Sequence, residues 1–502
     1  METRMTSPEQ PVIADVRQQA VRGGTVLMAA RILVQVFTNC VTILIMRYLT
    51  PYDYGVLTNS AIFTGLADLL AEAGVGKALV QRRQLTGGDL DEGFTVSFVL
   101  SGIMFGILCG LSRPLAAFFQ CPELTRFLPV AGLALLLTPF RTTPLAVLEY
   151  RLRMKSLAII TIAISVLQSL LTLGFAMSGF GYWSALGGIL PSRLLEAIVL
   201  ARLARWSPHL RRPSTRGGSL VRFSSQLVGG TLLWYFYSNS DFAVLGRLAG
   251  PFALGAYSLA FMLVSMPLQR ISANLNQVAY PVYCRIAHDR ARLRNWFLRL
   301  MALLGVVGIP MLLGMVLVSR DGIVLVLGAK WEAAVVPFQI LSLAGTVMIL
   351  GTAFPPLFAA MGRPDVSLKY NFFCCLVYPA SFYIMGSRYG ATGIALSWGV
   401  LHPLIFVGWI TLTRGITSIS IPNILFVLRP VLVGGLMMSL CVLFVQHLLW
   451  GNAWALPRLV SSIITGALVY SGVIWLSARN TIIADIGVMW REIKGNKETV
   501  VK

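Results

Sequence analysis

Along the 502-residue chain, apolar positions gather into runs of about 20 residues, the length that carries an α-helix across a lipid bilayer. Such runs lie near 24–46, 55–80, 93–111, 127–148, 156–177, 182–201, 223–246, 252–276, 297–318, 333–357, 367–386, 391–412, 424–446 and 459–478. Polar and charged residues collect between them. The pattern predicts an all-α polytopic membrane protein of about 14 transmembrane helices, with almost no length left for a soluble catalytic domain.

Composition agrees. Hydrophobic residues make up 56% of the chain and charged ones 12%, and the mean hydropathy of +0.75 is too high for a water-soluble globular protein. The 46 Gly and 24 Pro sit inside apolar runs, where membrane helices use them for close packing and kinks. None of the seven cysteines makes a CxxC pair, so neither a disulfide framework nor a zinc site is indicated.

The net charge of +21 would suggest a nucleic-acid partner in a soluble protein. Here the basic residues mark orientation, because Lys and Arg resist translocation. The first 23 residues hold acids, a proline and no apolar core, so they do not read as a cleaved signal peptide, and the amino terminus is expected in the cytoplasm. On that assumption about 28 Lys and Arg fall in inside segments and about 8 outside. Both termini are therefore expected inside, the charges touching anionic membrane lipids, and no nucleic acid is expected as a partner.

Residues 47–55 read RYLTPYDYG and residues 247–255 read RLAGPFALG. A shift of 200 positions superposes Arg47 on Arg247, Pro51 on Pro251 and Gly55 on Gly255. A weaker echo links GFGYWSALGG (179–188) to YGATGIALSWG (389–399). Two repeats of six spans are implied. Six crossings return the chain to its starting side, so the halves are expected to be parallel lobes related by a pseudo-twofold axis along the membrane normal, enclosing a cavity. The expected division is an N-terminal six-helix lobe over 1–212, a C-terminal six-helix lobe over 213–415, and two further spans with a basic tail over 416–502.

With EAGVGKALVQ (72–81), SNSDFAVLGRLAGPFALGAYSLA (238–260) and GATGIALSWG (390–399), this layout resembles the polysaccharide exporter branch, the Wzx-type oligosaccharide flippases, of the multidrug/oligosaccharidyl-lipid/polysaccharide (MOP) flippase superfamily. Arg47, Pro51, Gly55, Arg247, Gly250, Gly255 and Tyr257 carry the motif, and the string from Asp241 to Tyr257 is its most specific part. The resemblance implies a non-enzymatic transporter of the bacterial inner membrane. It would move undecaprenyl-diphosphate-linked oligosaccharide from the cytoplasmic to the periplasmic leaflet for exopolysaccharide, capsule or O-antigen assembly. Polysaccharide polymerase and export proteins would be its partners. A cation-coupled multidrug antiporter of the same superfamily and a non-transporting scaffold for polysaccharide synthesis are the alternatives.

Charges inside the spans are functional candidates, since a charge at mid-bilayer costs about 3 kcal/mol on insertion scales. Arg31 in the first span presents a planar donor fork that fits a lipid diphosphate, or else snorkels to the inner interface. Asp68 and Glu72, four apart on one helix face, are candidates for binding H+ or Na+, with Glu72 alternatively pairing with Lys77. Asp241 follows the aromatic and hydroxyl-rich run TLLWYFYSNS. Tyr237, Asn239 and Asp241 are candidates for sugar recognition, Asp241 also for ion coupling or for a structural pair with Arg247. Arg141 lies with Pro139 and Pro144 in a proline-broken span, and Arg193 and Glu196, three apart, have the spacing to neutralise each other.

Soluble-enzyme signatures fail. AEAGVGKA (71–78) has Ala71 where a phosphate-binding loop begins with Gly and Ala78 where it ends in Ser or Thr. His209, His288, His402 and His447 share no metal-ligand spacing. No cofactor and no metal are expected.

Overall fold

A computed structural model describes residues 33–72, 75–80, 85–211, 215–417, 419–449 and 455–478, without side-chain detail at 77, 212–230, 364, 415–417 and 478. The regular structure of these residues is helical. In the first half α1 (Leu33–Tyr48), α2 (Pro51–Glu72) and a short α3 (Val75–Val80) lead to α4 (Gly87–Phe118), α5 (Leu124–Tyr150), α6 (Met154–Met177) and α7 (Trp183–Ala204). Then follow α8 (Thr215–Ile286), α9 (Arg290–Leu317), α10 (Ser319–Leu327), a 3-10 turn (Ala329–Ala334), α11 (Val335–Gly351), α12 (Phe354–Ala360), α13 (Pro364–Thr417), α14 (Ile421–Leu448) and α15 (Ala455–Ala478).

Among the described residues ten helical segments are long and apolar enough to cross a membrane. Two of them, Thr231–Ile286 and Asp365–Arg414, are helical hairpins that each cross twice, and α1 and α2 complete fourteen. The hairpins follow from hydrogen bonds that a straight helix forbids. Tyr257 Oη donates to Asp241 Oδ2 at 2.8 Å across 16 positions, where an unbroken helix would rise about 24 Å. Gly250 (φ 73°) is the vertex. In α13, Ser397 Oγ reaches the Ser381 carbonyl, again 16 residues away, around Gly390 (φ 56°). Both vertices need the left-handed backbone that glycine adopts without strain.

Two expected runs are interrupted. The run 55–80 divides into α2 and α3 around residues 73–74, which lie outside the described residues. The run 333–357 breaks between α11 and α12 because Pro355 and Pro356 have no N–H to give the carbonyls four residues back. One of those carbonyls, Thr352 O, accepts from Asn276 Nδ2 at 3.0 Å instead.

The chain divides into two compact units. The first comprises 1–49, 60–118 and 122–231. In it α5 is the central helix, packed on α4 and α7, with α6 against α7. A reciprocal cap starts α4: Thr86 N and Oγ1 donate to Asp89 Oδ2 at 3.0 and 2.7 Å, and Asp89 N donates back to Thr86 Oγ1.

The second unit comprises 50–59, 119–121 and 232–502. Here α11 packs on α9 and α13, and α14 lies between α9 and α15. The last two helices are fastened by polar contacts: Arg458 Nε to Asp321 Oδ2 at 2.7 Å, Gln446 Nε2 to Leu317 O at 2.9 Å, and Tyr470 Oη to Val306 O at 2.9 Å. Their outer faces carry exposed Phe426, Phe444, Leu468 and Leu476, as a hydrocarbon-facing surface requires.

The two copies of the sequence motif meet inside this unit. In the first copy Thr50 caps α2, its N–H and hydroxyl bonded to Asp53 at 2.9 and 2.6 Å, and Pro51 takes the first helical position. In the second copy Gly250 turns the chain and Pro251 restarts the helix. The helices then cross so closely that a Cβ on Gly55 would overlap the Pro251 carbonyl, and one on Gly255 the Pro51 carbonyl. Small residues allow such backbone approach, which drives helix association where lipid removes the hydrophobic contribution.

Gly55→Ala and Gly255→Ala are each expected to cost about 3 kcal/mol or more, because the obstructing atoms are backbone. Gly110→Ala, with no atom within 4 Å of the added methyl, should be neutral or stabilising. Thermal unfolding midpoints of the detergent-purified variants, read by size-exclusion chromatography, check this.

Candidate functional site

The first unit resolves its intramembrane charges by pairing. Asp68 of α2 receives Arg193 Nη2 of α7 at 3.0 Å and Thr138 Oγ1 of α5 at 2.9 Å. Arg141 of α5 donates through Nε to Glu196 of α7 at 3.1 Å. Arg193 and Glu196 are thus shared between two other helices and do not neutralise each other. The choice is geometric, since residues three apart on α7 diverge enough for each to reach a nearer partner on α2 or α5. These side chains stay partly exposed, 30 and 32% for Arg193 and Asp68, 38 and 15% for Arg141 and Glu196. Glu72, at the end of α2, is exposed. Arg31 lies outside the described residues, and nothing is described of the Lys77 side chain.

In the second unit the run before Asp241 separates by helix face. Trp234 and Tyr237 line a cavity. Asn239 Nδ2 is spent on Tyr235 O at 2.9 Å and Ser238 Oγ at 3.3 Å, and the Ser238 and Ser240 hydroxyls bond back to carbonyls of their own helix. Asp241 is fully buried. Its donors are Tyr257 Oη at 2.8 Å, Trp398 Nε1 at 3.2 Å and the Phe242 backbone N–H at 2.8 Å, not Arg247. Trp398 Nε1 also donates to Tyr257 Oη at 2.9 Å. A carboxylate that accepts from three donors can remain in a water-free interior. The knot ties both arms of the α8 hairpin to α13.

The cavity lies in front of that knot and measures about 660 Å³, within the range of small-molecule sites. One wall is a polar stripe on α8: Ser265, Gln269, Ser272 and Asn276, spaced four, three and four apart and so on one helix face. Facing it are aromatic rings from α8 and α13, among them Tyr370 and Trp409, whose centroids are 4.3 Å apart. His402 also lines it, its Nδ1 hydrogen-bonded to Tyr378 Oη at 2.8 Å. The Tyr378 ring packs in turn, tilted, against Trp398 of the Asp241 knot, with centroids 4.6 Å apart.

Of the candidate binding residues read from the sequence, Tyr237 lines the cavity, and Asp241 is held in the knot behind it. The α8 stripe was not singled out, although its four-three-four spacing is a signal. Among the described residues no group of three His, Cys, Asp or Glu side chains is placed to hold a metal ion.

The Asp68–Arg193 pair generates a test. Asp68→Ala leaves a guanidinium without its carboxylate inside the unit and should cost about 2–3 kcal/mol. Exchanging the two residues, Asp68→Arg with Arg193→Asp, should recover most of that loss in the unfolding midpoint.

Comparison with known proteins places this geometry in a family. The model of the polysaccharide biosynthesis protein family matches residues 44–336. The chain is 24% identical over 358 residues to the lipopolysaccharide biosynthesis protein WzxC of Escherichia coli (strain K12), covering 70% of this chain and 72% of that one. It is 22% identical over 438 residues to the succinoglycan biosynthesis transport protein ExoT of Rhizobium meliloti (strain 1021), covering 87 and 88%. Among solved structures it is similar to the lipid II flippase MurJ in an inward closed conformation, with a TM-score of 0.76 at 12% identity, over 91% of this chain and 100% of that one. The likeness of fold and the family match agree, and this chain belongs to the polysaccharide biosynthesis protein family.

Proposed function

We propose that this protein moves undecaprenyl-diphosphate-linked oligosaccharide from the cytoplasmic to the periplasmic leaflet of the bacterial inner membrane, for assembly of an exopolysaccharide, capsule or O-antigen. The observation that carries the reading is the aromatic and amide-lined cavity among helices long and apolar enough to cross a membrane. A lipid-facing bundle has no use for such a surface, whereas a polyol crossing the membrane needs one. The names of WzxC and ExoT, one a lipopolysaccharide biosynthesis protein and the other a succinoglycan transport protein, support it.

The transport cycle is alternating access by two six-helix lobes, 1–212 and 213–415, with 416–502 as an attached pair of spans. No nucleotide-binding motif is in the sequence, so the direction is set by an ion gradient or by removal of product by polymerase and export proteins outside. H+ or Na+ acting at Asp68, Glu72 or Asp241 would have to displace donors already in place on two of them: Arg193 and Thr138 on Asp68, and Tyr257 and Trp398 on Asp241. Arg31 is assigned to the diphosphate, where its planar fork engages two phosphate oxygens at once.

Deletion should leave undecaprenyl-linked glycan on the cytoplasmic side and abolish polysaccharide export, with drug susceptibility unchanged. Normal export from the deletion strain would remove the reading. Arg31→Lys should restore part of the export and Arg31→Ala less, about tenfold below wild type, at equal membrane abundance. Export that falls when the pH or sodium gradient is collapsed, and loses that dependence in Asp241→Asn, identifies the coupling site.

Both termini are assigned to the cytoplasm from the loop-charge asymmetry. Reporter fusions after residue 215 and at the carboxyl terminus should both give an inside signal.

A further inference from the structure

We propose that the cavity of the second unit is a recognition subsite for uncharged pyranose rings, with Ser272 and Asn276 as its hydrogen-bonding specificity determinants. The proposal rests on the reading of the chain as a transporter of lipid-linked glycan and adds the chemical class of the sugar and the residues that select it.

Ser272 is 6% exposed and its hydroxyl has no hydrogen-bond partner. Asn276 gives its Nδ2 to the carbonyl freed by Pro356, which fixes the amide and leaves Oδ1 buried and unpartnered. Both residues line the cavity. A buried polar atom left unpaired costs about 1–3 kcal/mol. A ligand hydroxyl meets both needs, since it donates to Asn276 Oδ1 and exchanges donor and acceptor roles with Ser272 Oγ.

The rest of the lining fits the same ligand. A pyranose ring has apolar C–H faces and a polar rim. Tyr237, Tyr370 and Trp409 offer faces for the former, and the α8 stripe offers hydroxyl and amide groups for the latter. No Asp, Glu, Lys or Arg lines the cavity among the described residues. A uronate or sulfate ester seated here would bury a charge without a counter-ion, at a cost that a neutral hydroxyl avoids. The same argument places the diphosphate of the substrate outside this cavity.

The test uses the purified full-length protein and commercial trisaccharides, read by tryptophan fluorescence at millimolar sugar. At least one neutral probe, maltotriose or cellotriose, should bind saturably, and a trisaccharide of galacturonate should not. Ser272→Ala and Asn276→Leu should each weaken neutral binding about tenfold, the first with the unfolding midpoint retained and the second with a lowered one, because the Thr352 carbonyl loses its donor. Gln269→Lys, which places a cation at the rim, should admit the galacturonate probe. Absence of saturable binding by either neutral sugar, equal binding of the acidic one, or unchanged affinity in both Ser272 and Asn276 variants overturns the subsite. Its failure is separable from failure of the transport reading: a deletion strain that exports normally removes transport, whereas export lost on deletion but untouched by Asn276→Leu removes only the subsite.

Discussion

Inside a bilayer a polar group has no water to fall back on, and the packing of this protein turns on pairing its buried charges within the helix bundle. Asp68 takes Arg193 and Thr138, Glu196 takes Arg141, Asp321 takes Arg458, and Asp241 takes Tyr257 and Trp398. The contacts of Asp68, Glu196 and Asp321 and the Asp241–Trp398 bond join helices distant in sequence, and Asp241–Tyr257 closes the α8 hairpin, so satisfying the charge also fixes the packing. The same accounting applies to the main chain. Pro356 deprives the Thr352 carbonyl of its helical donor, and Asn276 supplies a replacement. The Ser272 hydroxyl and the Asn276 carbonyl oxygen are among the buried polar atoms left without a partner, and these two line the cavity.

Glycine and proline do the geometric part. Gly250 and Gly390 reverse α8 and α13 within a single residue, which brings positions 16 apart into hydrogen-bond contact. Without the first reversal Tyr257 would lie a membrane's depth from Asp241, and Trp398 would lose the acceptor that orients its indole. Gly55 and Gly255 let the two motif copies cross at backbone contact. Packing in lipid gains little from apolar burial alone, so close approach and polar locks share the task of specifying the second unit.

The two units differ in chemistry. The first is pinned by partly exposed ion pairs between its helices, whereas the second, besides the Asp321–Arg458 pair, holds a cavity of aromatic, hydroxyl and amide groups that no Asp, Glu, Lys or Arg lines among the described residues. The proposed substrate has the same two characters, an anionic diphosphate and a hydroxyl-rich glycan on one lipid. In the function we propose, its diphosphate goes to Arg31 and its sugars to the uncharged cavity, where a neutral ring strands no charge.

Helix count, span positions and the paired motif were legible in the sequence, because crossing a bilayer imposes a run length that each segment meets on its own. The meaning of Asp241 was legible only in part. Its rarity in an apolar run marked it as special, yet whether it faced a ligand or a neighbour depended on Trp398, 157 positions away. Arg193 and Glu196 show the same limit, since spacing told that they share a helix face but not that α2 and α5 bring closer partners. The stripe of Ser265, Gln269, Ser272 and Asn276 was present as a pattern, but a polar stripe in a membrane helix serves equally to bind a neighbouring helix or to line a cavity. Sequence determined which segments enter the membrane, because hydrocarbon selects for local composition. Tertiary structure decided which polar groups are consumed by packing and which are left for a ligand, because that depends on which helices stand side by side.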